Sequence, residues 1–135
     1  MILQATIGCS HNRCRFCYMY KTKRFHPKPW EDLKAEIDDA VIAWPQTRRI
    51  FLADGDSFVL STGRLERILD YLSQSFVNLQ RVTAYATPQN LLSKSIEEME
   101  RLRQKKLRIL YLGVESGHPE LLKRIEKGAT PDEMA

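Results

Sequence analysis

One pattern constrains this chain more than any other: four times over, a short β-rich run gives way to a polar loop and then to an amphipathic stretch. The first run is Ile2–Ile7. After a long polar loop, a helix is expected to start near Pro29, with Leu33, Ile37, Val41 and Trp44 at spacings of four, four and three. Pro29 suits a first helical turn, and Pro45 stops the helix. The second run, Arg49–Ala53, leads through DGDSFVLSTG into a helix carrying Leu65, Ile68, Leu69, Leu72 and Phe76. The third, Val82–Ala86, precedes TPQNLLSKS, which reads as a loop. Ser95 and Glu98 then form a capping box ahead of Met99 and Leu102. The fourth run, LRILYLGV, enters ESGHP; Pro119 opens a last helix with Leu121, Leu122 and Ile125, and Gly128 suits its C′ terminator. Strands alternating with helices at this spacing imply right-handed βαβ units around a parallel sheet. The expected class is α/β.

The chain ends on a fresh start signal. Thr130 to Glu133, TPDE, offers a cap, a proline and an acid at the third helical position, and two residues later the sequence stops. Four βα units are half of an eight-fold barrel and short of a six-fold one. The expectation is therefore one domain over residues 1–135, truncated at its C-terminus, with the remainder of its own chain as a structural partner. Open strand edges would leave it marginal or aggregation-prone on its own; a sharp cooperative melt of a soluble monomer would count against that.

In such sheets the loops after the strands gather on one rim, where sites are built. Every unusual segment falls there: GCSHNRCRFC after the first run, DGD after the second, YATPQN at the end of the third, and GVESG after the fourth. DGD alone is a common turn, and ESG before a helix is a common cap. Together on one rim, with three thiols, they make a site.

Cys9, Cys14 and Cys17 are all the cysteines in the chain, in one C-x4-C-x2-C loop. This clustering argues against a secreted disulfide framework and for a reducing, cytoplasmic setting. The N-terminus lacks a signal-peptide pattern, and no apolar run approaches a membrane span. The net charge of +4 concentrates near the thiols, in Arg13, Arg15, Lys21, Lys23, Arg24 and Lys28. That is a solvated basic loop, compensation for an anionic cofactor, or an attraction for phosphate.

A structural zinc site needs four ligands, so His11 or His26 would have to join the cysteines. His11 sits awkwardly between them, and His26 lies in the basic loop. A plant-type 2Fe–2S centre would need a distant fourth cysteine that this sequence lacks. The third arrangement is a 4Fe–4S cluster held by three cysteines with one iron open to a small molecule.

CSHNRCRFC followed by DGD and GVESG, in strand–helix order, resembles the radical S-adenosylmethionine (SAM) superfamily, across essentially the whole chain. The resemblance implies the N-terminal four units of a partial (βα)6 TIM-like barrel. It also implies a 4Fe–4S cluster whose open iron is chelated by SAM, and reductive cleavage of SAM to a 5′-deoxyadenosyl radical that abstracts hydrogen from a substrate. Cys9, Cys14 and Cys17 match the cluster ligands, and Phe16 matches the aromatic that borders adenine. Asp54, Gly55 and Asp56 match the segment that binds the methionine amine, with Asp56 expected to meet it. Glu115 and Ser116 match polar positions near the ribose or methionine moiety. The loop is one residue longer than the commonest family motif, as in a subgroup with GC-x-x-N-x-C-x-F-C loops, and DGD replaces the usual Gly-Gly-Glu.

The implied partners are a reductant such as flavodoxin or ferredoxin and an unidentified substrate. Sparse aromatics near the basic residues do not favour nucleic acid, and no membrane is expected. Tyr18 and Tyr20 read as rim packing, Asn12 as a turn former, and Trp30 and Trp44 as packing; Tyr85 and Asn90 are candidates to face SAM or substrate. The competing classes are an electron-transfer cluster protein indifferent to SAM, and a zinc-bearing RNA-associated module.

Overall fold

The structure, a computed structural model, describes residues 1–135. Four parallel strands form one sheet in the order β1 (Ile2–Gln4), β4 (Arg49–Ala53), β5 (Arg81–Ala86), β6 (Leu107–Leu112). The crossovers between them contain α1 (Trp30–Ala43), α2 (Thr62–Ser75), and the pair α3 (Pro88–Leu92) and α4 (Ile96–Gln104). Two short helices, α5 (Pro119–Arg124) and α6 (Pro131–Met134), close the chain. No helix is long and apolar enough to cross a membrane.

Burial follows the helical period. Leu33 and Ile37 of α1, Leu65, Ile68, Leu69 and Leu72 of α2, and Leu102 of α4 are buried with Ile50, Leu52, Val82 and Ala84 from one face of the sheet. Each such side chain contributes about 1.5–3 kcal/mol through burial. Ser95 and Glu98 form the expected reciprocal capping box at the start of α4. The opposite face of the sheet carries Phe51, Tyr85 and Tyr111, whose rings meet edge to face with centroids 4.7 Å (Phe51–Tyr85) and 5.7 Å (Phe51–Tyr111) apart. Tyr85 and Tyr111 are register partners and half exposed. This uncovered aromatic floor lies below the rim where the post-strand loops gather.

Several expectations change in detail. The first β-run splits at Ala5: β1 stays in the main sheet, while β2 (Thr6–Ile7) turns away to pair antiparallel with β3 (His26–Pro27). His26 thus belongs to a strand, and the cysteine loop becomes the closed end of a small two-stranded ribbon. Pro29 is the N-cap residue, one before the first helical position. Trp44 is 62% exposed because α1 ends at Ala43, and Ala40 takes the third core position on that helix. TPQNLL is not all loop: Thr87 accepts the Asn90 N–H and Pro88 presets the first turn of α3. The helix after Pro119 ends at Arg124, with Glu126 left-handed at φ 55°, so Gly128 lies in a later turn. The TPDE signal produces α6, with a full capping box between Thr130 and Glu133.

Ile68 is fully enclosed between α2 and the sheet. Ile68→Ala is expected to cost about 2–5 kcal/mol, read as a lowered urea midpoint at constant slope.

Candidate functional site

The cysteine loop crosses the rim and is fastened on two sides. On one side it meets the turn after β4. Asp54 Oδ2 accepts the Gly8 N–H at 2.6 Å, and the Thr6 hydroxyl donates to the Asp54 carbonyl at 3.1 Å. Asp56 accepts the Ser10 N–H at 3.0 Å, the Ser10 hydroxyl at 2.5 Å and the Asn90 amide at 2.6 Å. Between the acids, Gly55 is left-handed at φ 48°, and a Cβ there would stand 2.0 Å from the Gly8 carbonyl oxygen. No side chain fits.

On the other side the loop docks against the segment after α5. The Arg15 N–H donates to the Ile125 carbonyl at 2.9 Å, Arg15 Nε donates to Glu126 Oε1 at 2.6 Å, and His11 Nε2 lies 2.8 Å from the Glu126 carbonyl. Within the loop, Asn12 is left-handed at φ 40° and its amide donates to the Tyr20 carbonyl at 2.8 Å, the turn-forming role expected of it. Several of the basic residues around the thiols already have carboxylate partners: Arg15 with Glu126, Lys23 with Asp54, and Lys28 with Glu36.

Enclosed between these elements is a cavity of about 340 Å³, lined by all three cysteines together with Phe16, Gly55, Tyr85, Tyr111, Gln89, Glu115 and Lys127. The cysteines are half-buried and unpaired. Burial pushes the Cys9 thiol up, and the nearby Asp56 carboxylate adds to the effect. Burial also raises Cys14, against an opposing pull from the Lys127 ammonium.

Glu115, left-handed at φ 64°, reaches Lys127 with Oε1 3.3 Å from Nζ. Ser116 does not line the cavity; its hydroxyl accepts the His118 N–H at 3.0 Å. The carboxylates of Asp54 and Asp56 also stand outside the lining, turned into the cysteine loop. Asn90 meets Asp56 rather than the cavity, whereas Tyr85 lines it. Tyr20 lines it too, and Tyr18 is 78% exposed outside.

The side chains do not form a ready single-ion site. No three His, Cys, Asp or Glu side chains converge on one point as a tetrahedral metal requires. His26 is exposed in β3, its Nδ1 3.0 Å from the Arg24 carbonyl, and His11 is engaged with Glu126. Three thiols spread around one cavity can instead serve three separate irons. Lys127 and Gln89 escaped the sequence reading: Lys127 looks like any solvated lysine after a helix, and Gln89 fell in a segment read as loop.

The sequence profile of the Radical SAM superfamily matches residues 3–135. The chain belongs to the radical SAM superfamily. No curated protein matches it. Among solved structures, the cobalamin-dependent S-adenosylmethionine radical enzyme OxsB, with aqua-cobalamin and S-adenosylmethionine bound, is 21% identical with a TM-score of 0.69, covering 98% of this chain and 20% of that one. Coproporphyrinogen III oxidase (HemN) from Escherichia coli, a radical SAM enzyme, is 13% identical with a TM-score of 0.65, covering 98% and 31%. The FeFe-hydrogenase maturase HydG from Carboxydothermus hydrogenoformans is 19% identical with a TM-score of 0.60, covering 92% and 28%. At these identities the likeness is one of fold, and this radical SAM chain spans a fifth to a third of its structural neighbours.

Gly55→Ala is expected to destabilise the fold by more than about 1 kcal/mol, from the left-handed backbone alone, and to speed the reaction of Cys9 with a thiol reagent. Gly63, with nothing within 4 Å of a built Cβ, is the control. Gly63→Ala, in the first turn of α2, should leave Cys9 reactivity unchanged and stability equal or slightly raised.

Proposed function

We propose that this chain is the core of a radical SAM enzyme, in which Cys9, Cys14 and Cys17 hold a 4Fe–4S cluster with one iron left open to SAM. The observation that carries this reading is the convergence of three unpaired thiols on one cavity, in a chain whose profile match runs from residue 3 to residue 135. When bound, the cluster supplies an electron that cleaves SAM to methionine and a 5′-deoxyadenosyl radical, which abstracts hydrogen from the substrate.

The protein's own part is to bind, orient and shield. Phe16, half exposed beside the thiols, offers a flat apolar surface for adenine. Gly55 packs its missing side-chain position against Gly8 and Cys9 and so brings the backbone of the turn after β4 to the cavity wall, where its peptide groups can meet SAM. The acid we assign to the ammonium and sulfonium is Glu115, which lines the cavity with its carboxylate beside Lys127. Lys127 in turn supplies a cation for SAM's carboxylate or for the anionic cluster. Ser116, outside the cavity, caps the turn that follows Glu115 by accepting the His118 N–H. Tyr85 and Tyr111 line the floor of the cavity, held in place by Phe51, whose ring packs edge to face against both.

A low-potential reductant such as flavodoxin or ferredoxin completes the cycle, in a reducing, cytoplasmic setting. Nucleic acid is not favoured as a partner.

Anaerobic reconstitution followed by EPR of the reduced protein checks the proposal. The expected result is a 4Fe–4S signal that shifts on addition of SAM and disappears in Cys14→Ala. A cluster whose spectrum ignores SAM would make this an electron-transfer protein, and stoichiometric zinc without iron would overturn the reading.

A further inference from the structure

The turn Asp54-Gly55-Asp56 lies along Gly8-Cys9-Ser10 residue for residue, each hydrogen-bonded pair 46 positions apart. Asp54 takes the N–H of Gly8, the residue before Cys9, and Asp56 takes both the N–H and the hydroxyl of Ser10, the residue after it. Between them Gly55 presses so closely that a built Cβ would stand 2.5 Å from Cys9 Cα. Each acid is backed by a further donor: Lys23 at 3.4 Å from Asp54, and Asn90 at 2.6 Å from Asp56. Asp56 is fully buried and Asp54 nearly so.

On the reading that the three cysteines hold a cluster, we infer that Asp54 and Asp56 are positioning residues that fix Cys9 by gripping both of its chain neighbours. This differs from the amine contact expected of Asp56 on family resemblance. Bonds to a charged acceptor in an enclosed site are among the stronger ones a protein makes. Held on both sides, the backbone of Cys9 has little freedom, and the direction of its Sγ is set before any metal arrives. Cys14 has an acid at one neighbour only, Glu126, which meets the exposed side chain of Arg15, and no acid grips a neighbour of Cys17; the rest of their loop is held by Asn12. Cys9 is therefore the fixed point of the ligand set. The same carboxylate beside Cys9 opposes the addition of an electron to a nearby cluster, so it holds the reduction potential down.

Iron release to a chelator, reduction potential and SAM affinity, measured on the anaerobically reconstituted protein, test this with Ser10→Ala, Asp56→Asn, their double variant and Ser10→Thr. Ser10→Ala and Asp56→Asn should each release iron about tenfold faster than wild type, the fold-change expected from one charge-assisted bond. The double variant should be little worse than the poorer single one, because both changes break the same contact. Ser10→Thr, which keeps the hydroxyl, should restore slow release. Asp56→Asn should move the potential positive while SAM affinity stays within about twofold, a pattern that general loss of fold does not produce. Ser10→Ala deletes one oxygen at a partly buried position and keeps the test decisive if Asp56→Asn folds poorly. Wild-type iron release in both single variants would overturn the inference. So would a tenfold loss of SAM affinity in Asp56→Asn with release and potential unchanged, which would return Asp56 to the amine. A wild-type protein that takes up no four-iron cluster would overturn the underlying reading, and this one with it.

Discussion

The rest of the molecule depends on one-sided burial of the sheet. Leucines and isoleucines of α1, α2 and α4 cover one face, and because every main-sheet strand runs parallel, all four strand ends reach the same rim. Loops that share nothing in sequence are thereby brought within hydrogen-bond range. The energy of the apolar face assembles the polar site, which would not gather on its own bonds.

The rim also concentrates backbone strain. Of the five non-glycine residues with positive φ, Asn12, Asp54, Glu115 and Glu126 lie in or against the loops around the cavity, and Lys106 alone lies elsewhere. Each left-handed side chain costs about 1–2 kcal/mol, and each is tied by a bond that uses its unusual direction: Asn12 to Tyr20, Asp54 to Gly8, Glu115 to Lys127, and Glu126 to Arg15. The strain is offset by the same contacts that shape the cavity.

Much of this was legible in the residues. The strand–helix period, the core positions on α2 and the Ser95–Glu98 box follow from local rules of spacing and capping, which act within a few residues. The meeting of the cysteine loop, DGD and GVESG followed from topology alone. What local rules could not convey was direction. Nothing in DGD tells whether its acids face a ligand or the neighbouring chain, since that depends on where Gly8 and Ser10 fall 46 positions earlier. The bend at Ala5 was likewise invisible, because it is imposed by the pairing of Thr6 and Ile7 with a distant segment, Pro27 and His26. Lys127 entered the site through a turn, with no periodic signal to mark it.

The docking of Arg15 on Glu126 joins residues 111 positions apart. On a ribosome adding roughly 5–20 residues per second, the three thiols emerge on the order of ten seconds before the segment that closes their loop. Through that interval they are reactive side chains on an unfinished chain, open to oxidants and stray metals. The shape of the thiol loop is therefore a property of the finished fold, completed only when the segment after α5 has been made and has docked on Arg15.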